Sequence, residues 1–463
     1  GLSFKLIKCI ADEIMLPIII TFQQSLLQGK FPTNWKHANI VPLFKGKGDK
    51  TSPSSYRPIS LCPCLGKFLE KVVVEQLTKH VMKIKPLCAS QHGFRQDRST
   101  TGNLLACDAA IAGHLDRGAP FDIISFDYQR AFDKVPHSLL LDSLKDLNMH
   151  PSSLNWFASY FQGRTQRVIF DGEMSKPAAV ASGVVQGCVA GPTCFLIFID
   201  SLLLEVRRLA GPESYAYADD FKFIAEASPA GHHRAQTAID FIAQWSKDHH
   251  MPLSLPKSGV LHCGKENRVR NYLIDGQLMS TFDSFKDLGV TRTPNATYSL
   301  HVNNLATNCS QLCGAICHVF RSKEPTLLWT AFQTYVKPKL MYAASVWSPY
   351  LRQDIMTIER VQRRFTKRLA GWNSQQSYEE RLCYWNALTL EDARKVADVT
   401  TLHRCLHGKM DVQLADIGIA LSTNNERSGK RRLQEEHHSN CISNGLFRHR
   451  TVKTLNAMPP PLR

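Results

Sequence analysis

The strongest constraint on how this chain folds is a pair of adjacent aspartates, Asp219 and Asp220, within YAYADDFKFIAE at residues 215–226. Apolar and aromatic residues flank the pair on both sides, which predicts a strand, a tight turn and a second strand. Adjacent carboxylates repel each other, and burying even one costs several kcal/mol unless a cation or hydrogen-bond donors compensate. The fold must therefore leave this turn in solvent or bring a compensating group to it.

A third carboxylate ends another predicted strand, because the short apolar run FDIISFD closes with Asp127. If the two strands are neighbours in one sheet, three carboxylates converge into a hard, oxygen-rich site suited to Mg²⁺, with Mn²⁺ as an alternative. Two such ions, about 3.5–4 Å apart, would activate an attacking hydroxyl and stabilise the leaving phosphate oxygens. The ordinary alternative is a polar hairpin turn, since Asp-Asp is a common turn dipeptide.

The charge balance indicates a polyanionic partner. Among 463 residues, 56 Lys and Arg outnumber 40 Asp and Glu, giving a net charge of +16. Such a surplus usually indicates nucleic acid, and an anionic membrane surface is the competing interpretation. No apolar run approaches the ~20 residues of a membrane-spanning helix, and we find no secretory signal. We therefore expect an intracellular protein, nuclear or cytoplasmic, with reduced thiols and no membrane partner. Because the chain begins with Gly1, we expect it to be part of a longer protein.

The remaining sequence divides into regions of different character. ANIVPLF and YRPISL predict two strands around the basic turn KGKGDKTSPSS, and GVVQG at 183–187 predicts a flexible turn. After residue 295, helices with basic faces replace strands, at about 298–320, 326–347 and 354–370. The last of these has an apolar face (Ile355, Ile358, Val361, Phe365, Leu369) and a basic face. A stripe of three cysteines, Cys309, Cys313 and Cys317, predicts core packing rather than a metal site.

Six motifs in order strongly resemble the reverse transcriptases of non-LTR (LINE-type, jockey-like) retrotransposons. They are SYRPISL, QHGFRQDRSTTGNLL, SFDYQRAFDKVPHSLL, SGVVQGCVAGPTCFLIFIDSL, YAYADDFKF and FKDLGV. The resemblance implies an α+β right-hand polymerase. It would have fingers at 1–120, with 145–180 partly returning to them, a ferredoxin-like mixed α/β palm at 121–295, a helical thumb or connection at 296–425, and a basic, loosely ordered tail at 426–463.

The same resemblance implies roles for individual residues in RNA-directed DNA synthesis with two Mg²⁺ ions. Asp127 and Asp219 would be bridging catalytic metal ligands, Asp220 a weaker ligand, and the Tyr128 carbonyl would complete the nucleotide-side metal. The expected partners are an RNA template, a DNA primer and dNTPs. The expected nucleotide-binding residues are Lys45, Arg57, Phe132, Gln186, Gly187 and Lys257. Phe132 would exclude a 2′-hydroxyl, and Lys257 would protonate the departing pyrophosphate.

Contacts with primer and template are expected from a further set of residues. These are Arg95, Phe285, Leu288, Gly289, Arg360, Arg363, Arg364 and Lys367. For several of the implied roles an ordinary structural interpretation stays open. Phe132 could equally be a core phenylalanine and Lys45 a solvated surface charge. Residues 354–370 could equally form a solvated amphipathic helix.

The motifs depart from the family pattern at Val185-Gln186-Gly187-Cys188, where Pro then Gln-Gly-Ser is usual, and at Gln96-Asp97. The family's upstream endonuclease domain is expected to be missing from this chain. Two other functions remain open: a catalytically decayed nucleic-acid-binding relic, and an RNA-dependent RNA polymerase with aspartates at 127 and 133. Phe132 and the SGVVQG loop argue against the second.

Overall fold

The computed structural model describes residues 3–46, 48–371, 373–410, 412–420, 433–434 and 445–457. Its helices are α1 Phe4–Cys9, α2 Ala11–Gln28, α3 Cys64–Ile84, α4 Thr100–Asp116, α5 Ala131–Lys134, α6 His137–Lys145, α7 Pro151–Phe161, α8 Ala190–Ala210, α9 Pro229–Asp248, α10 Ser299–Val319, α11 Pro325–Ala331, α12 Lys337–Met341, α13 Ala344–Trp347, α14 Arg352–Ala370, α15 Tyr378–Tyr384, α16 Leu390–Leu406 and α17 Phe447–Ala457.

The strands are mostly short. They are β1 His37–Phe44, β2 Tyr56–Leu61, β3 Phe121–Phe126, β4 Thr165–Phe170, β5 Glu173–Met174, β6 Ala178–Ala179, β7 Ser214–Tyr217, β8 Asp220–Glu226, β9 Gly259–Cys263, β10 Leu273–Ile274, β11 Gln277–Leu278, β12 Ser280–Thr281, β13 Phe285–Asp287 and β14 Val290–Arg292. The predicted strand, turn and strand around the paired aspartates are β7, the turn at 218–219 and β8.

The central sheet has the order β12-β9-β3-β8-β7. Its middle strand β3 pairs antiparallel with both β8 and β9. Alternate side chains of β3 enter different cores, as the period of two in a strand requires. Ile124 and Phe126 join the large core that includes α8 and α9. Phe121 and Ile123 join a smaller core that includes Cys107 of α4. The strand is therefore buried on both faces, and the residue that follows it emerges at the edge.

A second sheet forms a separate lobe beside the central one. The predicted basic hairpin is present, because β1 pairs antiparallel with β2 and places Leu43 opposite Arg57. β4 pairs parallel with β1, so the chain returns to this lobe after the first strand of the central sheet. The Phe31 ring meets the rings of Trp156 and Tyr160 edge-on, at centroid distances of 5.4 and 5.0 Å. The lobe is thereby attached to the large core.

Helices dominate the described residues after 295. In α14, Ile358, Val361 and Phe365 are buried, as the apolar stripe predicts. The cysteine stripe on α10 is also buried. The prediction of one continuous helix at 326–347 was wrong. The helix is interrupted by a π-helical turn at Phe332–Val336 and ends at Met341. Pro338 explains the interruption, because its ring cannot donate the next backbone hydrogen bond and crowds the preceding turn.

The tail also differs from its prediction of loose order. Residues Phe447–Ala457 form α17, whose Phe447, Val452 and Leu455 lie in the same core as α14. Arg450 pairs with Asp398 of α16 at 2.8 Å, so part of the basic character that predicted a solvated tail serves to attach this helix. Apart from 433–434 and this stretch, residues 426–463 lie outside the described residues. No helix within the described ranges is long and apolar enough to span a bilayer.

Candidate active site

The strand register places Asp127 beside the paired aspartates. β3 and β8 pair with Phe126 opposite Phe221. Asp127, the residue that follows β3, therefore lies opposite Asp220. Cα atoms of directly opposed residues in antiparallel strands are about 4.5–5.5 Å apart. Tyr217 pairs with Asp220 and closes the β7–β8 hairpin, which leaves Asp219 in the turn. Three carboxylates from two distant segments of the sequence therefore share one edge of the central sheet.

The electrostatics of this edge reflect repulsion between the carboxylates. Burial raises the pKa of Asp219, and the negative charge of Asp127 raises it further. Asp220 has a pKa raised to about 7, first through desolvation by the surrounding protein and then through the charges of Asp219 and Asp127. The Asp220 side chain itself remains accessible to solvent, so the energetic effect of this shift is reduced by screening. The site disfavours its own full ionisation, and a bound cation would relieve that strain.

Asp127 has a cationic partner within the chain. The Lys257 Nζ lies 2.6 Å from Asp127 Oδ2, and 68% of the lysine side chain is exposed. The Asp127 backbone N–H donates to Ser258 Oγ at 3.2 Å, and its carbonyl accepts from the Ser254 N–H at 2.7 Å. In the part of the chain that is described, no three His, Cys, Asp or Glu side chains are already arranged as ligands around one ion. The predicted convergence therefore holds for the backbone, while the Asp127 carboxylate is turned toward Lys257.

One large cleft collects the predicted catalytic and nucleotide-binding residues. Its volume is about 1370 Å³, more than a pocket for a single small ligand requires. Its walls include all ten of these residues: Lys45, Arg57, Asp127, Tyr128, Phe132, Gln186, Gly187, Asp219, Asp220 and Lys257. The cleft runs between the central sheet and the β1–β2 lobe, so it has acidic groups on one wall and basic groups on the opposite wall.

The GVVQG loop is held against the β1–β2 hairpin by close backbone contact. The Ser60 N–H donates to the Gln186 carbonyl at 2.8 Å. Gly187 has a φ of +107°, and a Cβ at this position would lie 2.6 Å from the Ser60 carbonyl oxygen. Only glycine fits both the dihedral and the space. The Gln186 Nε2 also donates to Asp133 Oδ1 at 2.9 Å, which ties the loop to the end of α5. Sequence reasoning did not identify this Asp133 contact.

Phe132 is partly buried and lies on the wall of the cleft. Its ring stacks on Phe195 with centroids 4.4 Å apart and meets Phe94 edge-on at 5.9 Å. The core interpretation and the sugar-contact interpretation are therefore compatible, because one face of the ring packs while the residue still lines the cleft. Phe94 has a φ of +52° and is 54% exposed, which is unusual for a bulky residue.

The two basic residues predicted for the triphosphate lie on the opposite wall. The Lys45 Nζ donates to the Ser54 carbonyl at 2.7 Å across the hairpin turn. Arg57 lies on β2, opposite Leu43. Both line the cleft with Lys50 and Arg130. A set of cations facing three carboxylates suits a ligand that carries phosphates and bound metal together.

The predicted primer-binding residues lie on the β13–β14 hairpin and not in the cleft wall. Leu288 and Gly289 form its turn, with φ of +43° and +93°. The Tyr342 hydroxyl donates to the Leu288 carbonyl at 2.8 Å. Phe285 stacks on Phe282 at 6.1 Å, on the side of the smaller core. The hairpin is thus attached to the helical region through Tyr342.

The other predicted primer and template residues divide into two groups. Arg95 is half-buried and held by the chain itself, since its Nη1 donates to the carbonyls of Cys88 at 2.8 Å and Gln91 at 3.3 Å. On α14, Arg360 and Arg364 are exposed. The Arg363 guanidinium lies over the Tyr378 ring at 4.6 Å, and the Lys367 Nζ donates to the Ser374 carbonyl. Only part of this basic face is free of such intramolecular contacts.

A buried ionic cluster beneath the catalytic hairpin was missed from the sequence. Lys222, two residues after Asp220, lies 2.7 Å from Asp287. Asp287 also pairs with Arg292 at 2.6 Å, and Arg292 pairs with Asp108 at 2.5 Å. Burial opposes ionisation of Asp287, but the charges of Lys222 and Arg292 outweigh it and lower its pKa. A lysine inside an otherwise apolar strand was the available signal, because such a residue is rarely buried without a partner.

Comparison with known proteins agrees with this geometry. A family model described as reverse transcriptase (RNA-dependent DNA polymerase) matches residues 46–292, more than half of the chain. The chain belongs to this reverse transcriptase family. The resemblance to the non-LTR, jockey-like members of the family is confirmed, and the helices and sheets of the structure confirm the α+β fold class.

The RNA-directed DNA polymerase from mobile element jockey of Drosophila melanogaster is 26% identical over 396 residues, which are 80% of this chain and 41% of that protein. The putative 115 kDa protein in type-1 retrotransposable element R1DM of the same species is 27% identical over 356 residues, 75% of this chain and 34% of that protein. The chain thus spans less than half the length of these relatives. A telomerase from Candida tropicalis, in complex with a fragment of telomeric RNA, has a TM-score of 0.41 and 10% identity, and the match covers 90% of this chain and 63% of that chain.

Proposed function

We propose that this chain is an RNA-directed DNA polymerase of a non-LTR retrotransposon, which extends a DNA primer on an RNA template. The observation that carries the proposal is the shared cleft, in which Asp127, Asp219 and Asp220 face Lys45 and Arg57. A nucleoside triphosphate with its metal has the complementary distribution of charge. The relatives named for RNA-directed DNA polymerase activity agree with this assignment.

The donor set of the acidic wall fits divalent cations. It consists of hard carboxylate oxygens. Burial raises the pKa of Asp219 and Asp220, and the charge of Asp127 raises both further, so a cation would favour their ionised forms. Asp127, Asp219 and Asp220, with the Tyr128 carbonyl, would hold two Mg²⁺ ions, with Mn²⁺ as a substitute. Bound there, the ions would supply electrostatic stabilisation of the transferring phosphoryl group.

The chain's own residues then divide the remaining work. Lys45 and Arg57 bind the triphosphate, and Phe132 excludes a ribose 2′-hydroxyl from the sugar position. Gln186 and Gly187 let the backbone approach the nascent base pair, because glycine leaves no side chain in the way. Lys257 provides a proton to the departing pyrophosphate from a position beside Asp127.

The nucleic acid is proposed to lie across the β13–β14 turn and the helical region. Phe285, Leu288 and Gly289 would position the primer end, and Arg95 would support the template side from within its loop. Arg360, Arg363, Arg364 and Lys367 would follow the duplex backbone, where each freed counterion favours binding. In this arrangement residues 1–120 form the fingers, 121–295 the palm, and the helices from 296 to 425 the thumb, with a basic tail after them.

The test is Mg²⁺-dependent extension of a DNA primer annealed to RNA by the purified chain. We expect Asp127→Ala and Asp219→Asn to reduce extension at least about 1000-fold, because each variant loses a negative charge that would hold the metal. The circular dichroism spectrum should stay unchanged. Asp142→Asn, at an exposed position on α6, is the matched control and should retain full activity.

Three results would contradict the proposal. Equal extension with NTPs and dNTPs would indicate an RNA-dependent RNA polymerase. Absence of any Mg²⁺-dependent difference between the wild-type chain and Asp219→Asn would indicate a nucleic-acid-binding relic. Unfolding of either aspartate variant would show that the carboxylates are structural.

A further inference from the structure

The turn that carries Asp219 has a backbone conformation that its own residue does not favour. Ala218 has a φ of +58°, in the left-handed region that alanine occupies at a cost. It is also buried, with only 5% of its surface exposed. A strained and buried residue next to a catalytic group needs external support. The β7–β8 ladder does not provide it, because the last pair of that ladder is Tyr217 with Asp220.

The support comes from the side chain of Gln91, which is 127 positions away in the sequence. The Ala218 N–H donates to Gln91 Oε1 at 2.8 Å, and the Gln91 Nε2 donates to the Ala218 carbonyl at 3.1 Å. The amide thus satisfies both backbone groups of this one residue. Gln91 is only 1% exposed, so these bonds are shielded from competing water.

The surrounding loop fits the turn closely. The same Gln91 Oε1 accepts from the Gly93 N–H at 2.8 Å, which fixes the rotamer of the amide. A Cβ on Gly93 would lie 2.4 Å from the Ala218 nitrogen, so the backbones approach as near as glycine allows. On β7, Ala216 exchanges backbone hydrogen bonds with Ser90 and His92 at 2.9 and 2.8 Å. The outer edge of the catalytic hairpin is therefore held by residues 90–93.

We infer that Gln91 is a positioning residue, which holds Ala218 in its left-handed conformation and thereby directs the Asp219 carboxylate into the cleft. This inference rests on the proposed polymerase function. Gln91 does not line the cleft with the residues described above, so it acts through Asp219 and not on the substrate. Its substitution should reduce turnover while it leaves nucleotide binding by Lys45 and Arg57 in place.

The test compares two buried glutamines in the full chain. Gln91→Met keeps the length of the side chain and removes its hydrogen bonds. Gln362→Met is the matched control, since Gln362 is also 1% exposed and donates to Tyr378 and Leu388 at 3.0 and 2.9 Å, on the thumb side. We expect Gln91→Met to lower kcat for primer extension about 100-fold, with KM for dNTP changed less than about threefold. Gln362→Met should change both constants less than about threefold.

A second measurement does not depend on activity. Hydrogen exchange of the peptide 214–223 should accelerate in Gln91→Met, because the Ala218 amide loses its acceptor, and should stay unchanged in Gln362→Met. If Gln91→Met does not fold, Gly93→Ala perturbs the same turn with Gln91 intact, and kcat should fall as well. The inference would be overturned if Gln91→Met, or Gly93→Ala where Gln91→Met does not fold, had a kcat within threefold of the wild-type value. If the wild-type chain shows no primer extension, the proposed function fails instead. Hydrogen exchange of the peptide 214–223 then tests the positioning role by itself, and unchanged exchange in Gln91→Met would refute that role.

Discussion

The ionic cluster beneath the catalytic hairpin makes a quantitative prediction about stability. Lys222 and Arg292 carry two positive charges, Asp287 and Asp108 carry two negative charges, and all four are at most 5% exposed. The cluster is therefore neutral and shielded from water. Removing one member leaves an uncompensated buried charge, which costs about 3–5 kcal/mol in comparable sites. Removing a pair restores neutrality at a much lower cost.

We predict these energies for a double-mutant cycle of Lys222→Met and Asp287→Asn. Asp287→Asn removes the negative charge that neutralises Lys222, which keeps its hydrogen bond to the Asn103 Oδ1 at 3.1 Å, so we expect a loss of about 3–5 kcal/mol. Lys222→Met leaves Asp287 paired with Arg292, so its cost should be about 2–4 kcal/mol. The double variant should lose only about 1–3 kcal/mol, because Arg292 and Asp108 still neutralise each other. The coupling energy should therefore be at least about 2 kcal/mol.

The assay is urea denaturation of the full chain at pH 7, followed by circular dichroism. The control cycle uses Lys79 and Glu75, whose side chains are 64% and 59% exposed at a separation of 2.9 Å, and whose coupling should be below about 1 kcal/mol. The depressed pKa of Asp287 means that the Lys222–Asp287 coupling is present at neutral pH and is lost as the pH falls through that pKa. Equal coupling in the two cycles would refute the buried-cluster reasoning.

Three further predictions concern the cleft and the basic helix. In metal-free buffer, the melting temperature should fall as the pH rises from about 4 to about 7. The reason is that the pKa of Asp220 is raised to about 7 in the folded chain and lies near 3.9 in the unfolded chain. Asp220→Asn should flatten this slope, and an unchanged slope would contradict the assignment of this effect to Asp220. Phe132→Val should raise the use of NTPs relative to dNTPs at least about tenfold in primer extension. The control Phe241→Val, on helix α9, should leave this ratio unchanged. If the two variants have the same NTP-to-dNTP ratio, Phe132 does not contact the sugar. Neutralising three arginines of α14 should weaken duplex binding and make it less dependent on salt, by up to about 3 in the slope of log K against log salt. The three substitutions are Arg360→Gln, Arg364→Gln and Arg368→Gln. The matched control neutralises exposed lysines of α3, and an equal loss of binding there would exclude a specific role for α14. Its substitutions are Lys71→Gln, Lys79→Gln and Lys83→Gln.

The central sheet could be predicted because its information is local. The alternation in FDIISFD and in YAYADDFKFIAE determines which side chains enter which core. β3 ends one residue before Asp127, and β8 begins at Asp220. Once these strands are neighbours, Asp127 and Asp220 must be close, since a shift of register by one residue would expose Phe126 and Phe221. Lys45 and Arg57 of the cleft could be predicted for the same reason, because the β1–β2 hairpin that carries them is visible in the local sequence pattern.

The supports of the site could not be predicted, because their partners are remote in sequence. Gln91 reads as one polar residue of a turn, and nothing in QHGF specifies that its amide reaches Ala218. Lys222 lies in a mostly apolar strand, which indicates a buried partner, but nothing in the sequence identifies that partner as Asp287, 65 residues later. The π-helical interruption at Phe332–Val336 is a failure of another kind, because the local signal, Pro338, is present in the sequence.

These supports explain how the chain tolerates two adjacent aspartates at a partly buried turn. Burial and the charge of Asp127 raise the pKa of both aspartates, and no ladder bond holds the residue that precedes them. Gln91 fixes the outer side of the turn, and Lys222, bonded to Asp287, anchors β8 from below. The Lys257 ammonium faces Asp127 from an exposed position, where an ion pair contributes at most about 1 kcal/mol and is easily displaced. The rigid contacts thus hold the backbone, whereas the contact at the Asp127 carboxylate is weak. This division suits the proposed metal site, whose carboxylates would bind a cation in place of Lys257.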